Sequence, residues 1–530
     1  MSQELDYLAR RAAAGRLSRR EFLGRATALG VSTTFANSLL VGAAKAESPQ
    51  RGGILKAGVQ GGAATDSLDP ATFLSAVAGN YFGQCWGEYL VALGPNRGLE
   101  HRIAEEVGSS KDAKVWTFKV RQDVEFHNGK SVTAEDVVAT LERHSNKESK
   151  SGALGILSGI ESVKADGRDV VITLKEPNAE LPYLMTDAHL VIQPNGGKDN
   201  PAEGISAGPF KVTVNEPGVR HGGERFANFW QPDKMGFADQ VEVIVINDTT
   251  ARISALQGGQ VHMINSVEPK VVEFVERVPN LKIVQTSGRG HYVFIMFCDT
   301  APFDNKDLRM ALKLAVDRQQ MVDKILRGYG TVGNDFPINS SYPLFPEGIP
   351  QREFDPDQAK HYYRKSGHSG SIVLRASDGL FPGAIDAAQL YQQSCAKAGI
   401  NIEVKREPGD GYFSNVWMKQ PFCASYWTGR PTQDQMYSTG YLSKAAWNES
   451  HFFNDKFDKL VVKARSEVDE EKRKSLYREM AMIVRDEGGS IIPLFYQYID
   501  AISDKVGGYR SGVQRELMDG YALAKCWLTS

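Results

Sequence analysis

Between Val115 and Leu141 the chain reads VWTFKVRQDVEFHNGKSVTAEDVVATL, an order of signals that few folds accommodate. Trp116, Phe118 and Val120 alternate with Thr117, Lys119 and Arg121, the two-residue period of a strand with one buried face. Asn128-Gly129 then supplies a turn, since both residues take positive φ at little cost. Thr133 stands where a helix cap belongs. Glu135 and Asp136 follow in the first turn, where negative charge complements exposed amides and the helix dipole. Val137, Val138 and Leu141 give that helix an apolar face.

Residue by residue this segment resembles the wording W-x-F-x-L-R-x-x-V-x-F-H-x-G-x-x-x-T-A-E-D-V of the family 5 bacterial extracellular solute-binding proteins, the peptide and nickel type, departing from it mainly at Val120 and Asn128. The resemblance continues along the chain. Ser67-Leu68-Asp69-Pro70 follows a first strand at Ile54 to Val59, as the family's x-L-D-P turn does. Asp248 to Arg252, with Ala255-Leu256 and Gly258-Gly259, resembles its D-x-x-x-R-x-x-A-L-x-x-G helix and turn. The usual acid three positions later is His262 here, read as a surface change. Pro302-Phe303 and the apolar repeat Leu308, Ala311, Leu312, Ala315, Val316 match a further block, with Asp317 placed to cap the next helix. Asp355-Pro356 reads as a cap and first-turn proline, with Gly367 closing that helix. Late in the chain, Phe457, Leu460, Val461 and Ala464 mark one helix, Leu476, Met480, Ile483 and Val484 another, and Ile491 to Phe495 a strand.

Strands and helices alternating without a short repeat indicate an α/β protein. The resemblance implies the architecture: a two-lobed periplasmic-binding-protein-like fold (type II, cluster C), with the ligand held between the lobes. Lobe I is expected at 47–292 plus 501–530, with an inserted subdomain near 90–207, and lobe II at 293–500.

The amino terminus predicts where such a protein acts. Arg19-Arg20 lie within SRREFLG, a weakly apolar stretch runs to Ala44, and Ala44-Lys45-Ala46 fits a small-x-small cleavage site. This pattern is that of a twin-arginine export signal over residues 1–46, which places the protein in the periplasm. No cysteine stands at the cleavage site, which argues against a lipid anchor. The signal holds seven of the 62 Lys/Arg and three of the 64 Asp/Glu, so the remaining 484 of 530 residues carry a formal charge near −6. That balance gives no electrostatic reason to expect nucleic acid or an anionic membrane as partner. Five cysteines, Cys85, Cys298, Cys395, Cys423 and Cys526, are scattered and form no CxxC pair, so most are read as buried thiols.

Twin-arginine export often serves enzymes folded around a cofactor, and catalysis is therefore the competing reading. CxxCH, HExxH and paired CxxC spacings are absent, so no cofactor or metal is expected. Gly204 to Gly208 matches GxSxG, but Pro209 and the alternation Phe210, Val212, Val214 make it a turn feeding a strand, whereas a nucleophile elbow feeds a helix. Gly129-Lys130-Ser131 resembles the end of a phosphate loop, yet Val124 occupies the position that needs glycine.

The ligand question centres on Tyr412 to Asp434, which holds six aromatics, an arginine and an aspartate. Dipeptide-binding relatives usually carry W-x-G-D-x-x-D-P-D hereabouts, whose acid pairs with the peptide amine. This chain reads Trp427-Thr428-Gly429-Arg430-Pro431-Thr432-Gln433-Asp434. An arginine in the acid's place reverses the preferred charge, and its planar fork suits carboxylate or phosphate. The expected ligand is an anionic, amino-acid-derived solute such as an acidic peptide, with an opine or a polycarboxylate metal chelate as alternatives. Arg430, Trp427, Tyr426, Tyr412 and Asp434 are the candidate contacts from lobe II, and Tyr81 and Trp86, with Asp66, those from lobe I. The alternative for Arg430 is an internal ion pair with Asp434. Trp417 and Phe422 are read as core, and His291 and Tyr292 as hinge or ligand contacts. The resemblance further implies ABC permease subunits as partners and no catalysis; the protein is expected to act as a monomer.

Overall fold

The computed structural model describes residues 21–22, 48–94, 98–467, 469–512 and 515–529. Apart from Glu21 and Phe22, the export signal read over 1–46 lies outside them.

The period-2 segment forms the strand Val115–Val120 with strictly alternating burial. It is the second strand of a four-stranded antiparallel sheet, between Ala104–Ser109 and Asp169–Leu174, with Ile160–Asp166 at the edge. The helix Ala134–Ser145 packs on this sheet. Its cap is a reciprocal box: the Thr133 hydroxyl accepts from the Asp136 amide, and the Asp136 carboxylate accepts from the Thr133 amide. One apolar cluster from Leu90 to Ala207 fills this unit.

The main sheet runs through the whole molecule. On one side lie Ile54–Val59, Met263–Ile264 and Gln240–Val245, extended by the hairpin of Phe210–Glu216 and Arg220–Arg225. On the other lie Phe422–Trp427, Ile372–Ala376 and Ile402–Arg406. Two long antiparallel strands, Leu281–Met296 and Ser490–Ser503, join the halves. The cores sort accordingly: one cluster spans Tyr292 to Tyr498, while others gather Leu55 to Met263 with Ile502 to Cys526, and Ile253 to Leu281 with Ile499 and Ala501. The boundaries expected at 292/293 and 500/501 therefore fall inside continuous strands.

Between Ser287 and His291 the pairing of the long strands breaks register. Gly288 and Gly290 sit in the break because no side chain fits: a Cβ would stand 2.1 Å from the Tyr498 ring at the first and 2.4 Å from the Tyr496 ring at the second. The tyrosine rings of one strand pack against the glycines of the other.

Asp317 and Asp355, the expected caps, each accept an amide from the first turn, as does Asp248, and Gly367 takes φ 72° after Pro356–Lys365. His262 differs from the reading of a surface change: it is half-buried, and its Nδ1 accepts the Lys56 amide at 3.0 Å, tying a loop to the first strand. In the GxSxG turn, Ser206 is buried with its hydroxyl donating to the Ile192 carbonyl at 2.6 Å, and a strand follows from Phe210. All five cysteines are free thiols.

Candidate functional site

Where the lobes meet, a cleft runs in three connected parts. The outer part is an open groove of about 560 Å³, lined by Asp66, Asp248, Asp378 and Asp410 among others. It leads to two small inner chambers, of about 40 and 80 Å³, which share Ala76, Tyr426 and Thr428. The lobes touch around them: the Ala64 amide donates to Asp410 at 3.2 Å, and Trp447 meets His189 edge-on at 5.1 Å between ring centroids.

The larger inner chamber holds Arg430. Its loop follows the strand Phe422–Trp427, and the loop backbone is fixed from several directions. Arg289, in the register break of the long strand, donates to the carbonyls of Arg430 and Pro431, both at 2.7 Å. Tyr342 and Tyr498 accept the amides of Arg430 and Gly429, and Tyr496 donates to the Trp427 carbonyl. A backbone held this way presents its side chain in one place before any ligand arrives.

The guanidinium itself is weakly matched. Its Nη1 makes contacts of 3.1–3.4 Å to Thr428 and Gly429, Nε has no acceptor among the described residues, and the group lies 5.4 Å above the Trp427 ring. Burial pulls its pKa below the usual arginine range; Asp187, across the chamber, acts in the opposite direction. Burial pushes Asp187 itself up, but His189 outweighs it, at 2.6 Å, and holds the carboxyl well below the usual range. Arg515 reaches the same chamber, where it donates to Asn80 and leaves Nε without an acceptor among the described residues. Two guanidinium groups thus face one carboxylate that histidine already engages.

The aromatic wall rests on a buried acid. Glu449 accepts the indole N–H of Trp417 at 2.6 Å and of Trp427 at 2.7 Å. Burial pushes its pKa up to about 7, against the lowering effect of the two indoles. Trp447 packs against both rings.

The smaller chamber surrounds Glu516. Tyr81 and Ser266 each donate a hydroxyl to it at 2.7 Å. Tyr292, stacked between Phe381 at 3.6 Å and Tyr496 at 4.8 Å, forms one wall. Arg515 and Glu516 enter a left-handed turn in which Leu517, Met518 and Asp519 take φ of 51°, 59° and 59°. Each such residue costs ~1–2 kcal/mol relative to ordinary backbone. The turn is held where the Leu517 amide donates to Asp500 at 2.9 Å and the Arg515 amide to Asp519 at 2.9 Å.

Of the residues singled out in the sequence, Arg430, Trp427 and Tyr426 meet in one chamber, and Tyr81, Tyr426 and Tyr292 in the next. Asp66 and Tyr412 line the outer groove, though the Tyr412 hydroxyl donates to the Ala424 carbonyl at 2.9 Å. Three readings need correction. Trp86 does not reach the cleft: it is fully buried in the first lobe's core, beneath Gly208. Asp434 turns inward on the helix Gln433–Gly440 and pairs with Arg465 at 2.8 Å, so it neither lines the chamber nor pairs with Arg430. Trp417 is buried but also faces the Arg430 chamber, whereas Phe422 is core. His291 is wholly buried beside Phe495, and burial lowers its pKa to about 3. Arg289, Glu449, Arg515, Glu516 and the Asp187–His189 pair carry no local sequence signal; only the chain's return to the cleft from distant segments brings them together. Among the described residues, no group of three or more His, Cys, Asp or Glu could hold a metal ion, and no helix is long and apolar enough to cross a membrane.

Comparison with known proteins accords with this architecture. The probable peptide ABC transporter periplasmic-binding protein y4tO of Sinorhizobium fredii is 25% identical over 434 residues, covering 73% of this chain and 80% of its own. The binding protein AgaA of A. tumefaciens R10, solved in complex with agropinic acid, superimposes with a TM-score of 0.82 at 22% identity, covering 90% of this chain and 99% of its own. DppA of Helicobacter pylori, solved with the peptide STSA, gives 0.80 at 21% identity, over 91% and 99%. The model of the bacterial extracellular solute-binding proteins, family 5, matches residues 98–449, and the chain belongs to that family.

Proposed function

We propose that the protein captures an anionic, amino-acid-derived solute between its lobes, in the periplasm, and delivers it to the permease subunits of an ABC importer. The observation that carries the charge assignment is the pair of guanidinium groups, Arg430 and Arg515, facing the inner chamber with Asp187 as the one acid among its described lining residues. A buried cation without a matched partner is costly, and a ligand carboxylate relieves that cost. Support for the ligand class comes from AgaA, whose bound agropinic acid is an acid. The lobes, at about 47–292 with 501–530 and at 293–500, are the moving bodies in this reading, and the unit near 90–207 travels with the first. A ligand touching both lobes favours the closed form by its differential contacts, and the closed form is what the permease recognises. Twin-arginine export explains how a folded protein reaches that compartment. No bond is broken in this reading.

The test is native mass spectrometry and thermal shift of the purified protein against acidic peptides, opines, polycarboxylate metal chelates and neutral dipeptides. Saturable stabilisation by acidic members, lost in Arg430→Ala, is expected. Consumption of the bound compound overturns the transport reading in favour of an exported enzyme, and equal binding of neutral dipeptides overturns the charge assignment.

A further inference from the structure

Building on the reading of Arg430 and Arg515 as an anion-binding pole, we propose that Glu516 forms a second, cation-binding subsite beyond Tyr426, so that the ligand also carries a positively charged amine. The two chambers meet at Ala76, Tyr426 and Thr428. Consecutive residues supply their opposite charges: Arg515 lines one chamber and Glu516 the other.

Three observations set the second pole apart from an acid that serves structure alone. Among the described residues, the Glu516 side chain accepts hydrogen bonds from two neutral hydroxyls, Tyr81 and Ser266, at 2.7 Å each. A carboxylate has about four acceptor positions, so capacity remains for further donors. Next, the nearby cation is already committed: Arg252 donates to the carbonyls of Ile246, Asn265 and Ser266 and to the Gln60 side chain, and makes no hydrogen bond to Glu516 among the described contacts. Finally, the chamber wall is aromatic, with Tyr292, Phe381, Tyr426 and Tyr496 around the acid. Ring faces attract cations, and a carboxylate within an aromatic enclosure suits an ammonium that must shed water. Burial and then the charge of Glu516 push the Tyr81 phenol well above its usual range, so it remains a donor to the acid.

The experiment compares ligands that differ only in the amine. Calorimetric affinities are measured for Ala-Asp, Gly-Glu and N-(carboxyethyl)alanine, each against its N-acetyl counterpart, which keeps the carboxylates and loses the cation. The wild-type protein is expected to prefer the free amine by about tenfold or more for those that bind. Glu516→Gln, similar in volume, is expected to bring that preference below about threefold while leaving the acetylated form's affinity near wild type. Arg430→Ala is expected to weaken both forms alike. Equal wild-type affinity for the two forms overturns the subsite, and so does a preference that survives Glu516→Gln. The wild-type comparison decides the matter even if the Gln variant does not fold. If Arg430→Ala binds normally while the amine preference persists, the anionic pole falls and Glu516 stands. If none of the three compounds binds in either form, both assignments fall.

Discussion

Two arginine sites in the second lobe show how burial alone misleads. Asp335 is completely buried and receives two bonds from Arg318 at 2.7 Å, one from Arg352 at 2.9 Å and the Ile492 amide at 3.1 Å. Arg430, nearly as buried, has long contacts to its own loop and an Nε without an acceptor. The first site gives each guanidinium a carboxylate partner, although Arg318 also leaves its Nε without an acceptor among the described residues, and it fixes the lobe. The second leaves its charge partly unanswered in a cavity, the arrangement of a group that waits for something from outside. Matching, more than depth, separates structural charge from recognition charge.

The sharpest way to break this contrast is Asp335→Ala. It strands the buried Arg318 guanidinium, takes one of two carboxylate partners from Arg352, and is expected to cost about 3–5 kcal/mol in denaturant unfolding, with the ligand affinity of the folded fraction unchanged. A cost below about 1 kcal/mol would make the network dispensable and the contrast empty. Arg430→Ala is expected to do the reverse. Affinity for acidic solutes should fall ten- to a hundredfold, about 1.4–2.8 kcal/mol, while unfolding stability moves by less than about 1 kcal/mol. A destabilised variant with intact affinity would move Arg430 to the structural class.

Acid probes a third kind of buried group, one that stays neutral. Burial lowers the His291 pKa to about 3. Between that value and the ordinary value near 6.5 the unfolded chain binds a proton that the folded one does not, so stability falls as pH drops through the window. Replacing His291 by leucine should remove about 1.4 kcal/mol of that loss at one pH unit below 6.5. An unchanged pH profile of unfolding would mean that His291 takes up its proton equally in the folded and unfolded states. The smallest effect is expected outside the second lobe: Thr133→Ala removes half of the capping box and about 1 kcal/mol of stability, with no change in affinity.

The caps and the strand-turn-helix were legible because their causes are local. Thr133 and Asp136 stand three residues apart and bond each other, and Asp248, Asp317 and Asp355 act within one turn of themselves. The cleft is written differently. Arg430 stood out because its chemistry contradicts its neighbours, but the rest of its chamber comes from Phe73–Asn80, Asp187–His189, Trp447 and Arg515. Nearness in sequence also misled: Asp434 lies four residues from Arg430, yet its helix carries it to Arg465. Trp86 follows the first strand as a cleft residue would, and a backbone approach by Gly208 seals it in the core.

The paired strands Leu281–Met296 and Ser490–Ser503, with their glycine break under Tyr496 and Tyr498, also bear on what a partner would sense. Arg289 stands in that break and donates to two carbonyls of the Arg430 loop, so a change of strand geometry there would carry the guanidinium with it. Solutes of different size would then drive the halves along one shared track, and a docking surface would measure an angle instead of identifying a molecule.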